Sequence, residues 1–177
     1  AGVDSNIAYH LWVLIFPIVW ATLQKDEQVA LAKPMISLLS KEYHSKQAQA
    51  RPNGVQALLE GISLSQPQPK IPSELIKYLG KTYNAWYIAI PLLESDVTLF
   101  PQEGRCFDAL AEMYRLLGEE DMLAGLWRRR SITVETKVGL SLIQNGMWPK
   151  AQEVFYGALH RAYQGDLTNG PSKAEVC

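Results

Sequence analysis

Apolar positions along this chain recur every three or four residues, a spacing that predicts helices. Val29, Ala32, Ile36, Leu39 and Tyr43 make one stripe, with Asp26 and Glu27 placed at a helix N-terminus, where acidic groups suit the backbone dipole. Val55, Leu58, Leu59 and Ile62 make a shorter one. A long stripe passes through Leu75, Leu79, Tyr83, Trp86, Ile90, Leu93 and Val97 and reads as one face of a helix. Cys106, Leu110, Met113 and Leu117 follow, then Leu123, Leu126 and Trp127. Ala151, Val154, Phe155, Ala158, Leu159 and Ala162 give the cleanest pattern. No run alternates apolar and polar residues as a strand does, so the expected fold is all-α.

The punctuation agrees. "HSKQAQARPN" (44–53) and "SLSQPQPKIP" (63–72) read as polar or proline-rich connectors. Gly118 and Gly146 stand where a helix-closing glycine belongs. Glu119, Glu120 and Asp121 open the next helix, and Arg128, Arg129 and Arg130 close it, in the charge order that the helix dipole favours. Pro17, Pro34 and Pro91 fall within helical patterns and predict kinks or breaks. Residues 164–177 have turn composition and are expected to form a loop or tail.

Setting Gly118 against Gly146 pairs Leu110 with Val138, Tyr114 with Leu142, Leu126 with Val154 and Trp127 with Phe155. Each unit would be an antiparallel helical hairpin, and Ala151 with Phe155 matches the A-x-x-x-F element of tetratricopeptide second helices. Such a hairpin cannot bury its apolar face alone. The architecture implied is therefore a stack, an α-solenoid of the TPR or HEAT kind.

Composition narrows the function classes. The 177 residues are 47% hydrophobic and carry a formal net charge of -1, so there is an ordinary core but no global basic field for nucleic acid or anionic membrane. Two cysteines, Cys106 and Cys177, provide neither a disulfide framework nor a C-x-x-C site, which favours a reducing compartment. The run "IAYHLWVLIFPIVWATL" (7–23) falls short of the length of a spanning helix and lacks a basic flank. It reads as a helix buried between neighbours. Ala1 and Cys177 look like the ends of a piece taken from a longer polypeptide.

Candidate chemistry is sparse. Gly80-Lys81-Thr82 ends like a phosphate-binding loop, but Leu75 stands where its first glycine belongs, and the apolar stripe runs straight through it. The serines in "GISLS" (61–65) and "GLSLI" (139–143) lack both the final glycine and the strand-to-helix context of a nucleophile elbow. His10, His44 and His160 have no partner at metal-ligand spacing, and His10 reads as a core histidine. Trp86 and Trp148 read as packing residues. No catalytic residue, cofactor or metal is expected. "LWRRRS" (126–131) is the densest basic cluster; Arg128, Arg129 and Arg130 are the candidate partner-binding residues, suited to acidic segments or phosphate, against the plainer reading of a solvated helix end.

Several long strings, among them "YHLWVLIFPIVWATL", "RPNGVQALLEGISLS", "PSELIKYLGKTYNAW", "EEDMLAGLWRRRS" and "ETKVGLSLIQNGMWPKAQEVFY", together resemble the transformation/transcription domain-associated protein family. The resemblance runs from about Tyr9 to Cys177 and is similar to the first part of the FAT region, which precedes a kinase-like domain that has lost its catalytic residues. It implies a single FAT-type segment over 1–177 of a large nuclear α-solenoid scaffold. It also implies the partners: subunits of histone acetyltransferase complexes of the SAGA and NuA4/TIP60 types, transcription activators, and other segments of the same polypeptide. Neither direct nucleic-acid binding nor a membrane is expected. A regulatory FAT segment of a catalytically active phosphatidylinositol-3-kinase-related protein kinase is the alternative.

Overall fold

The structure, a computed structural model, describes residues 4–131 and 134–163, apart from the side chain of Tyr43. All regular structure among the described residues is helical: α1 (Ser5–Thr22), α2 (Lys25–Leu39), a 3₁₀ turn (Glu42–Gln47), α3 (Gly54–Ser63), α4 (Ser73–Thr82), α5 (Trp86–Leu99), α6 (Gly104–Leu117), α7 (Glu120–Arg130), α8 (Val134–Gln144) and α9 (Trp148–Tyr163). The fold is all-α and built of helical hairpins, as the periodicity predicts. The chain divides between Leu110 and Ala111, inside α6, into two compact units. The expected tail at 164–177, Cys177 and the ring of Tyr43 lie outside the described residues.

Helix starts follow the capping chemistry. Asp4 accepts from the amide of Asn6 at 2.9 Å to open α1, and Asn53 accepts from the amide of Gln56 at 2.8 Å to open α3. Glu27 reaches back to accept from the amide of Gln24 at 2.7 Å, so one member of the acidic pair read at the start of α2 caps its first turn. Helix ends follow the glycines. Gly118 and Gly146 have φ of 71° and 70°, the left-handed conformation that a side chain disfavours. In each, the glycine amide bonds the carbonyl three residues back, and the following amide bonds the carbonyl five back: Glu119 to Tyr114 and Met147 to Leu142, both at 2.9 Å. These are two copies of one Schellman turn at positions that the internal repeat aligns.

In the first unit α1 packs on α3, α3 on α5, and α4 on α5. The long stripe from Leu75 to Val97 is not one helix. It breaks at Tyr83–Ala85, where Asn84 takes φ 53° and the amide of Ala85 bonds the carbonyl of Gly80 at 2.9 Å. Asparagine tolerates this conformation better than most residues, so the break carries no glycine signal. Gln56, buried on α3, fixes it by donating to the carbonyls of Tyr83 at 2.9 Å and Asn84 at 3.3 Å. The apolar face then continues across the break, and Leu79, Tyr83, Leu93 and Val97 are all fully or nearly fully buried. Pro17, Pro34 and Pro91 lie inside α1, α2 and α5 without ending them.

In the second unit α8 packs on α9, and α7 on α8. Ala151, Ala158 and Ala162 form the buried edge of α9. Gly139 gives Phe155 room to lie against α8.

Candidate interaction surfaces

Helix α1 carries no charged side chain from Ser5 to Thr22 apart from the titratable ring of His10, which predicts complete burial, yet Trp20 alone of its residues is buried. One face is fixed. Trp12, Phe16 and Trp20 stack at successive ring distances of 5.2 and 6.0 Å, four residues apart. Gly61 of α3 admits them, since a methyl group there would meet the Trp12 indole nitrogen at 3.0 Å and Phe16 at 3.3 Å. The indole of Trp20 donates to the carbonyl of Pro67 at 2.7 Å, and Tyr9 donates to the carboxylate of Glu60 while lying 3.3 Å from the Tyr87 hydroxyl. Burial, and then the bond to Glu60, push the Tyr9 phenol above its ordinary range.

The opposite face is bare. Ile7, Leu11, Leu14, Ile15, Ile18 and Val19 are all at least half exposed, and Val29 of α2 is exposed as well. This corrects the reading of a helix buried between neighbours: periodicity reports apolar faces, and only one face of α1 is covered. His10 is exposed on the same helix, with its ring edge-on to Tyr9 at 5.6 Å, and is no core histidine. His44 is buried instead, its Nε2 3.0 Å from the Leu38 carbonyl.

A second feature lies where the 63–72 connector crosses the ends of α5 and α6. Lys70 pairs with Glu103, and its ammonium sits 3.8 Å from the centre of the Phe100 ring. The bond from Lys70 lowers the Glu103 carboxyl below its ordinary value. Asp96, in the last turn of α5, is only 8% exposed, and burial raises its carboxyl. Burial also raises the Cys106 thiol nearby, which is the direction of an unreactive cysteine.

The predicted arginines close α7. Arg128 donates to Gln144 of α8, and Arg130 lies 5.4 Å from the centre of the Trp127 ring, so part of the cluster organises the α7–α8 packing. Arg128 and Arg129 are exposed. Trp148, read as a packing residue, is 63% exposed at the start of α9, and Tyr156 and Tyr163 are exposed on the same helix. Gly80, Lys81 and Thr82 are the last turn of α4, with Gly80 buried, and form no phosphate nest. The serines of 61–65 bond back to helical carbonyls, Ser63 to Glu60 and Ser65 to Gly61, both at 2.7 Å. Among the described residues, no group of three or more His, Cys, Asp and Glu side chains is placed to hold a metal.

Comparison with known proteins gives this helical array its family. Residues 3–65, which contain α1 to α3, match the Tra1 HEAT repeat ring region. The SAGA complex/NuA4 acetyltransferase complex subunit TRA1 of Saccharomyces cerevisiae is 40% identical over 96% of this chain. The corresponding Schizosaccharomyces pombe subunit is 37% identical over 90%, and the human transformation/transcription domain-associated protein 30% identical over 90%. The chain belongs to the Tra1/TRRAP family. It spans 5% of the length of the budding-yeast relative and 4% of the fission-yeast one. The Tra1 ring match covers the whole of α1, so this apolar helix is a helix of a HEAT array. The expectation that this run is too short to span a bilayer is corrected on length alone, since the 18 residues of α1 are long and apolar enough to do so.

Proposed function

We propose that this chain is a non-catalytic scaffold segment of a transcription coactivator subunit, acting in the nucleus within histone acetyltransferase complexes of the SAGA and NuA4/TIP60 types. In this reading residues 1–177 are one continuous stretch of a larger helical-repeat array, with ring-type repeats over 3–65 and FAT-type hairpins after them. The observation that carries it is the bare face of α1. A helix without Asp, Glu, Lys or Arg and with six large apolar residues at least half exposed is what a solenoid presents to its next repeat. The covering partner is another helical segment of the same polypeptide, and neither membrane nor nucleic acid is needed.

Such a scaffold works by placement. It binds an activator at one position and an acetyltransferase at another, raising the local concentration of the enzyme near its target without new chemistry. Arg128, Arg129 and Arg130 are the proposed receiving surface for an acidic segment, since guanidinium forks pair with carboxylates in two-point fashion. Affinity capture from nuclear extract tests both parts, using this chain and a variant with all three arginines changed to Glu. Recovery of acetyltransferase-complex subunits or acidic activators, lost in the variant while helicity is kept, is the expected result. Equal capture by both proteins would remove the arginines from the proposal, and capture of neither class of partner would remove the surface.

A further inference from the structure

The least compensated charge in the first unit is Asp96. It occupies the core-facing register of Leu92 and Leu93 on α5 and is 8% exposed. Among the described residues its carboxylate accepts no hydrogen bond and makes no ion pair. Lys70, the cation whose charge reaches it, is already held by Glu103 and the Phe100 ring. A buried carboxylate without a donor is costly, and its place at a helix C-terminus adds to the cost, because the backbone carbonyls there are also negative. The last turn of α5 holds no basic residue to offset either.

Asp96 lines a groove of about 640 Å³ that has an apolar side, with Pro67, Pro91 and Leu99, and a polar side that includes Gln66, Gln68 and Lys70. With Lys70 engaged by Glu103 and the Phe100 ring, the apolar side of the groove beside one buried carboxylate matches an arginine, which buries its methylene stem and delivers its charge at the tip. A guanidinium fork, with five N–H groups, is able to meet both oxygens of one carboxylate. We propose that Asp96 anchors a binding site for an arginine side chain of a partner protein, the guanidinium pairing with the carboxylate and the stem lying along the proline and leucine side of the groove. This site uses no feature of the α7 arginines and stands or falls separately from them.

The probe is the capped tripeptide acetyl-Leu-Arg-Leu-amide, with acetyl-Leu-citrulline-Leu-amide as its uncharged isostere, titrated into this chain and followed by amide chemical shifts. Saturable shifts confined to the 66–70 connector and residues 92–100 are expected with arginine and not with citrulline. Asp96→Asn keeps the shape and is expected to weaken arginine binding at least about tenfold, the loss that follows from removing one partner of a desolvated charge pair. Leu99→Gln, at an exposed wall position, serves as a second variant that leaves the core untouched, and it is expected to weaken binding severalfold. Equal shifts from the two peptides, or undiminished arginine binding by Asp96→Asn, would overturn the proposal. So would the absence of localised shifts in the unaltered chain.

Discussion

A methyl group placed on Gly139 would lie 2.5 Å from the Cζ atom of Phe155, closer than any real contact of that kind. The α8–α9 hairpin therefore depends on a hydrogen at one position and a ring at another. Gly139→Ala is expected to destabilise the second unit by about 1–3 kcal/mol, the usual cost of overpacking. In a Phe155→Ala background the same change is expected to cost at least about 1 kcal/mol less, because the two residues share one space. Urea unfolding of the four proteins measures this, and strict additivity would contradict it.

The glycines of the second unit differ in sign. Gly146 has φ of 70°, so Gly146→Ala is expected to cost about 1–2 kcal/mol, because a Cβ crowds the backbone in a left-handed residue. Gly125 lies inside α7 with nothing within 4 Å of the place its Cβ would take, so Gly125→Ala is expected to stabilise by about 0.5–1 kcal/mol. Opposite shifts in the thermal midpoint would bear this out, and shifts of the same sign would not.

Two buried polar groups near the α4–α5 break also separate. Tyr83 is fully buried and its hydroxyl has no hydrogen-bond partner among the described residues, so Tyr83→Phe is expected to be neutral or stabilising by up to about 1 kcal/mol. Gln56 holds two carbonyls, and Gln56→Leu leaves both without their donor, at an expected cost of about 1–3 kcal/mol. Chemical denaturation ranks the pair, and a larger loss from Tyr83→Phe would refute the assignment.

Much of this fold is legible in residue order. The glycines at 118 and 146 announce their turns because no other residue type so often ends a helix, and the two Schellman turns match bond for bond. The break at Asn84 is hidden because the apolar stripe keeps its phase across the turn, so that Tyr83 and Leu93 are buried alike on either side of it. The bare face of α1 is not legible, because apolar periodicity records that a face wants covering and says nothing of what covers it. Asp96 and Gln56 are easily passed over, although each interrupts an apolar register, at four residues from Leu92 and three from Leu59. A polar residue at a core-facing position is the signal that finds both.

Asp96 also fixes a pH dependence. Burial raises its folded pKa above the ordinary 3.8. The unfolded chain therefore ionises first as pH rises, and Asp96 opposes folding above its raised folded value. Its favourable contribution is complete below about 3.8 and is lost as pH rises through the folded value. Asp96→Asn is thus expected to raise the thermal midpoint at pH 7, with the gain vanishing near pH 3. A gain that grows as pH falls would contradict the sign.

The most direct test of the scaffold reading is to place the photo-crosslinking residue benzoylphenylalanine at Leu14 or Ile18 of α1 within the whole polypeptide and identify what it captures. Crosslinks to a helical segment of the same polypeptide outside this stretch are expected at both positions. Crosslinks to lipid, or only to other subunits, would show that the bare face of α1 is not a seam between repeats.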